Sequence, residues 1–74
     1  MTIEEKFGTT VARLRKEQGF SQEKFALEAG VSTRYMTDIE RGKRHVSIDI
    51  IEKIANQLGK TLSELFAEVE KSEK

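Results

Sequence analysis

The stretch Gln22-Glu23-Lys24-Phe25-Ala26-Leu27-Glu28-Ala29-Gly30-Val31-Ser32-Thr33-Arg34-Tyr35-Met36-Thr37-Asp38-Ile39-Glu40-Arg41 decides the fold. Apolar residues recur in it at helical spacing on both sides of Gly30, and Ser32 stands where the N-cap of a second helix belongs. Gly30 takes a positive φ at little cost and so ends the first helix. Ala26 sits at the crossing point, where a larger side chain would push the two helices apart. Met36 and Ile39, three apart, anchor the second helix on a core.

The same punctuation repeats outward. Glycines at 19, 30, 42 and 59 are each followed within five residues by Ser21, Ser32, Ser47 or Thr61, and Thr2 opens the chain in the same way. Thr2 with Glu5 and Thr61 with Glu64 have the spacing of reciprocal capping boxes. Ile3, Phe7, Val11 and Leu14 form one apolar stripe; Ile51, Ile54, Ala55 and Leu58 form another; Leu62, Leu65, Phe66 and Val69 form a third. These spacings predict an all-α fold of five helices, at about 3–18, 22–29, 33–41, 48–58 and 62–71. Helices of eight or nine residues do not hold alone in water, so the second and third must be packed on a shared core. No repeat, linker or low-complexity segment divides residues 1–74, which read as one domain.

Composition bounds the function. The 74 residues contain 13 Lys+Arg against 13 Asp+Glu, one His, and no Cys, Pro or Trp. No apolar run approaches the ~20 residues of a membrane span, and the N-terminus lacks a basic-then-apolar signal layout, so a cytoplasmic protein without a membrane partner is expected. A chain this short is marginal as a monomer and has no disulfide to compensate, which favours oligomerisation. There is no nucleophile–base–orienter set and no phosphate-cradling glycine fingerprint, so an enzyme is not expected. His45 has no companions for a metal site, and neither a cofactor nor a small-molecule ligand is indicated.

Two short helices joined by a tight, glycine-centred turn make a helix-turn-helix, whose second helix can enter a DNA major groove. With Met36 and Ile39 turned inward, that helix leaves Thr33, Arg34, Thr37, Asp38 and Arg41 outward, with Tyr35 at the edge. Arg pairs bidentately with guanine, Thr offers a hydroxyl or a methyl, and Asp accepts from the cytosine amino group. Residues 34–45 hold four basic side chains against two acidic ones, inside a chain of zero net charge. Charge is thus segregated toward a phosphate-facing segment. Plainer roles compete at several positions: a core-edge ring for Tyr35, an intramolecular pair with Arg41 or Arg34 for Asp38, helix capping for Gln22, and an ordinary charged loop for Lys43 and Arg44. His45 is expected on the surface near DNA or against the fourth helix.

The run Ser21-Gln22-Glu23, Ala26, Ala29-Gly30-Val31-Ser32 and Ile39-Glu40-Arg41-Gly42-Lys43-Arg44 resembles the Cro and phage-repressor type of helix-turn-helix DNA-binding domain across nearly the whole chain. Within that family, Tyr35, the Glu40-Arg41-Gly42 turn and His45-Val46-Ser47-Ile48 are most similar to the small dimeric controller proteins of restriction-modification systems. The resemblance implies base reading by Thr33, Arg34, Tyr35, Thr37 and Asp38. It implies phosphate binding by Gln22, Arg41, Lys43 and Arg44, with Gln22 also able to brace a side chain of the reading helix. It further implies a buried ion pair between Arg15 and Glu40.

Ile48, Ile50, Leu65, Phe66 and Val69 present more apolar surface than so short a chain is expected to cover by itself, and they are the expected interface of a homodimer, with the fifth helix contributing. Two copies would place two reading helices about 34 Å apart on a pseudo-palindromic operator in double-stranded DNA. An activating regulator would also meet RNA polymerase. The competing class is a protein-interaction module, such as an antitoxin-type helix-turn-helix. Gly8, inside the first helix, points to close approach of another backbone, with the fifth helix or a partner chain as the expected neighbour.

Overall fold

The computed structural model describes residues 1–72. Five helices follow one another: α1 (Ile3–Glu17), α2 (Gln22–Ala29), α3 (Thr33–Glu40), α4 (Ile48–Gln57) and α5 (Leu62–Lys71), with no strand among the described residues. α2 and α5 have the bounds expected from sequence. α1, α3 and α4 end one residue earlier, because Gln18, Arg41 and Leu58 serve as C-caps. Both capping boxes form, with Thr2 and Thr61 accepting from the amides of Glu5 and Glu64 and each glutamate accepting in return. Ser47, by contrast, makes no side-chain capping bond. Among the described residues no helix is long and apolar enough to cross a membrane.

One core joins all five helices. Phe7, Val11 and Leu14 of α1 meet Phe25 and Ala26 of α2, Met36 and Ile39 of α3, Ile54, Ala55 and the C-cap Leu58 of α4, and Leu65 and Val69 of α5. Each large side chain so buried stabilises the fold by about 1.5–3 kcal/mol. This shared burial holds α2 and α3, eight residues each, which lack the length to persist alone.

Two expectations are corrected here. Leu65 and Val69 are 0% exposed within the single chain, so their side chains cannot form a surface between two copies. α5 folds back over α1 and α4, and its apolar stripe closes the chain's own core. Phe66 is only partly buried and stacks on Phe7 with ring centroids 5.9 Å apart. Gly8, in turn, faces the end of α3 and not α5: a Cβ built on it would stand 2.1 Å from the carbonyl oxygen of Ile39 and 2.9 Å from that of Glu40. The glycine lets α1 touch the C-terminal end of α3.

The α1–α5 packing carries a polar clasp on its rim. Arg13 donates to Glu17 at 3.1 Å and to Glu68 at 2.8 Å. The Arg13 hydrogen bond is the main cause that holds the Glu68 carboxyl below its ordinary value, with Lys71 adding to it. A carboxyl lowered on folding contributes stability above its unfolded value of about 4.3 and loses it as pH falls through the lower folded value. The difference in melting temperature between the wild type and Glu68→Gln should therefore be constant above about pH 5 and shrink steadily as pH falls below about 4. A difference that does not shrink on acidification would assign the effect to packing instead. Because the pair is on the surface, the difference is small.

Candidate nucleic-acid interface

The turn between α2 and α3 is built locally. Gly30 adopts φ +79°, and the amides of Gly30 and Val31 return to the carbonyls of Leu27 and Ala26. Ser32 then accepts from the Tyr35 amide at 3.0 Å and starts α3. With Met36 and Ile39 locked inside, the opposite side of α3 is fixed: Thr33 and Arg34 are exposed, and Thr37 and Asp38 are half-buried. This is the outward set expected from the sequence, carried on a helix whose rotation is set by two buried anchors.

Beyond α3 the chain turns on Gly42, at φ +73°, with the Lys43 amide bonded to the Asp38 carbonyl at 2.9 Å. A Cβ on Gly42 would stand 2.8 Å from the Glu5 Cα, so the loop lies directly on the first turn of α1. Arg41, Lys43 and Arg44 are all exposed along this loop. The Arg44 guanidinium lies 4.7 Å over the Tyr35 ring and 3.5 Å from the Asp38 carboxylate. Asp38 thus pairs with Arg44, where Arg41 or Arg34 was expected from the sequence. The ring and the carboxylate together hold a cation beside the reading face, at a distance where cation–π attraction is appreciable. Tyr35 accordingly serves as both core-edge ring and platform.

Gln22 braces a side chain of the reading helix, the second role the resemblance implied for it, and so is not a free phosphate ligand. Its amide nitrogen donates to Glu40 at 2.9 Å, and its amide oxygen accepts from the Thr37 hydroxyl at 2.8 Å. Both ends of the side chain are engaged, which leaves one N–H for an external group. Glu40 in turn receives Arg15 in a two-pronged pair, at 2.7 and 3.0 Å, and the third Arg15 bond goes to the Phe20 carbonyl at 2.8 Å. The Arg15–Glu40 pair implied by the resemblance is present, with both side chains 8% exposed.

His45, almost fully exposed, pairs with Glu4 of α1. Glu4, with Glu5 under Gly42, fastens the basic loop to α1. Neither contact had a signal in the sequence, because both join residues some forty positions apart. Ile48 and Ile50 of α4, both expected at a dimer interface, differ: Ile48 is 79% exposed, whereas Ile50 packs partly against the core. Ile3, Phe7, Val46, Ile51 and Phe66 line a groove of about 210 Å³ together with Glu4, Arg44 and His45.

Residues 11–65 match the helix-turn-helix family. The chain belongs to that family. It is 47% identical over 70 residues to the control protein C.MunI of a Mycoplasma species, covering 93% of this chain and 95% of that protein. It is 48% identical over 54 residues to the control protein C.BamHI of Bacillus amyloliquefaciens, covering 72% of this chain and 67% of that protein. Among solved structures it is similar to the restriction-modification controller protein C.AhdI of Aeromonas hydrophila, with a TM-score of 0.81 and 40% identity over 85% of this chain and 96% of that one. The helix-turn-helix assignment and the five-helix fold expected from the sequence therefore hold.

Proposed function

We propose that this helix-turn-helix chain is a sequence-specific DNA-binding transcriptional regulator of the controller type, acting in the cytoplasm as a homodimer on a pseudo-palindromic operator. The observation that carries this reading is the outward face of α3. Thr33 and Arg34 stand free on a helix anchored by Met36 and Ile39, and Arg41, Lys43 and Arg44 flank its C-terminal end. Such a face supplies polar groups to base edges and cations to phosphates, which are the two contact classes a DNA reader needs.

In this reading Arg34 enters the groove as the main base reader, with Thr33 and Thr37 beside it. Asp38 and Tyr35 contribute chiefly by holding Arg44 against the backbone. Arg41 and Lys43 complete the phosphate contacts, and Gln22 adds its remaining N–H beside the first turn of α2. The second copy is placed on the groove lined by Ile3, Phe7, Val46, Ile51 and Phe66, and Ile48, 79% exposed, is further uncovered apolar surface for it. Where the operator adjoins a promoter, the bound dimer stands next to RNA polymerase, the further protein partner of this reading.

Selection of bound duplexes from a random pool tests it. The expected result is a two-fold symmetric consensus with half-sites about one duplex turn apart. Arg34→Ala should weaken binding to that consensus by about 1–3 kcal/mol and relax one base pair per half-site. Lys43→Ala should weaken all duplexes alike and flatten the salt dependence by about one unit. An unselective pool, or an Arg34→Ala consensus identical to the wild type, would reject the proposal.

A further inference from the structure

The hydrogen-bond polarity running from Arg15 to Thr37 fixes what Thr37 can offer a base. Both carboxylate oxygens of Glu40, buried against Arg15, accept from its guanidinium, so the group faces Gln22 as an acceptor. The Gln22 atom 2.9 Å from it must therefore be the amide nitrogen, and the amide oxygen must face the other way, 2.8 Å from Thr37 Oγ1. The same Oγ1 lies 2.9 Å from the backbone carbonyl of Thr33. Both neighbours are acceptors, and a hydroxyl has one proton. The donor capacity of Thr37 is consumed inside the protein, and what it retains for an outside partner is an acceptor lone pair and a methyl group.

We infer that Thr37 reads its base pair as an acceptor and an apolar contact, never as a donor, and that the pair it selects is A·T. This rests on the reading of α3 as the groove helix. In the major groove an A·T pair presents the adenine N6–H donor and the thymine methyl, the two groups that match. A guanine edge presents N7 and O6, both acceptors, to a hydroxyl that has no proton left for them. Cytosine offers a donor but no methyl. The buried Arg15–Glu40 pair thereby sets, through Gln22, a base preference at the surface.

The test is duplex selection with the wild type, Thr37→Ser and Thr37→Val, each first checked for unchanged helicity and melting. Ser keeps the hydroxyl and drops the methyl; Val keeps the methyl and drops the hydroxyl. The position whose preference changes in either variant is the one Thr37 faces. The expected result is A·T there in the wild type. Replacing that thymine by uracil, which removes only the 5-methyl, should weaken wild-type and Thr37→Val binding about fourfold and leave Thr37→Ser unaffected. A G·C pair in either orientation at that position, or no position altered by either variant, overturns the inference while a clear consensus leaves the groove-helix reading standing. A wild type that selects no consensus overturns both.

Discussion

Glu40→Ala should remove about 3–5 kcal/mol of stability, as much as truncating a core phenylalanine. The carboxylate accepts from Arg15 Nε, Arg15 Nη2 and Gln22 Nε2, so its removal strands a guanidinium in a site only 8% exposed and frees Gln22 from its anchor. A domain of 74 residues has a total stability of roughly 4–11 kcal/mol, so this one truncation removes a large fraction of it and lowers the urea midpoint accordingly. Urea unfolding followed by far-ultraviolet circular dichroism reads the loss. The double variant Arg15→Met with Glu40→Leu should recover most of it, because a matched apolar pair leaves no uncompensated charge behind. A single-variant loss below about 1 kcal/mol would mean that water reaches the guanidinium, and the pair would then be no structural keystone.

Gly8→Ala is expected to destabilise the protein by about 3 kcal/mol, although alanine is the better helix former by about 1 kcal/mol. The two effects oppose, and contact geometry decides between them. The added Cβ would meet backbone carbonyls, 2.1 Å from Ile39 and 2.9 Å from Glu40, and neither can rotate aside as a side chain could. Relief requires α3 to move away from α1. Since the reading face rides on α3, operator affinity should fall by more than the stability loss accounts for, measured at a temperature where the variant is still folded. Unchanged melting and affinity would show that α1 and α3 can separate freely.

The helices were legible because their signals are local. A cap bonds to an amide three residues on, and a positive φ concerns one residue, so Thr2, Ser21, Ser32 and Thr61 with Gly30 and Gly42 announced their roles without reference to the rest of the chain. Ser47 shows the limit: the residue type is right for a cap, yet no capping bond forms. The reading face was legible for the same local reason, since Met36 and Ile39 fix which side of α3 turns inward.

The partners of charged and polar groups were not legible from spacing. Spacing does not distinguish Arg15 from Arg13 or Lys16, and only the family resemblance singled out its pair with Glu40; Arg13 instead clasps α5 from the surface. The apolar stripe of α5 was equally ambiguous. Leu65 and Val69 would look the same at a subunit interface as in a monomer core, and only the path of the chain back over α1 assigns them to the core.

Sequence alone determined five helices, their caps, the inward anchors of α3 and the basic loop after it, because each depends on residues within about one helical turn of one another. Tertiary structure alone decided that Asp38 holds Arg44, that Thr37 is the side chain Gln22 braces, and that Gly8 admits the end of α3. Those contacts depend on the relative rotation and separation of whole helices, quantities set by the packing of the entire core.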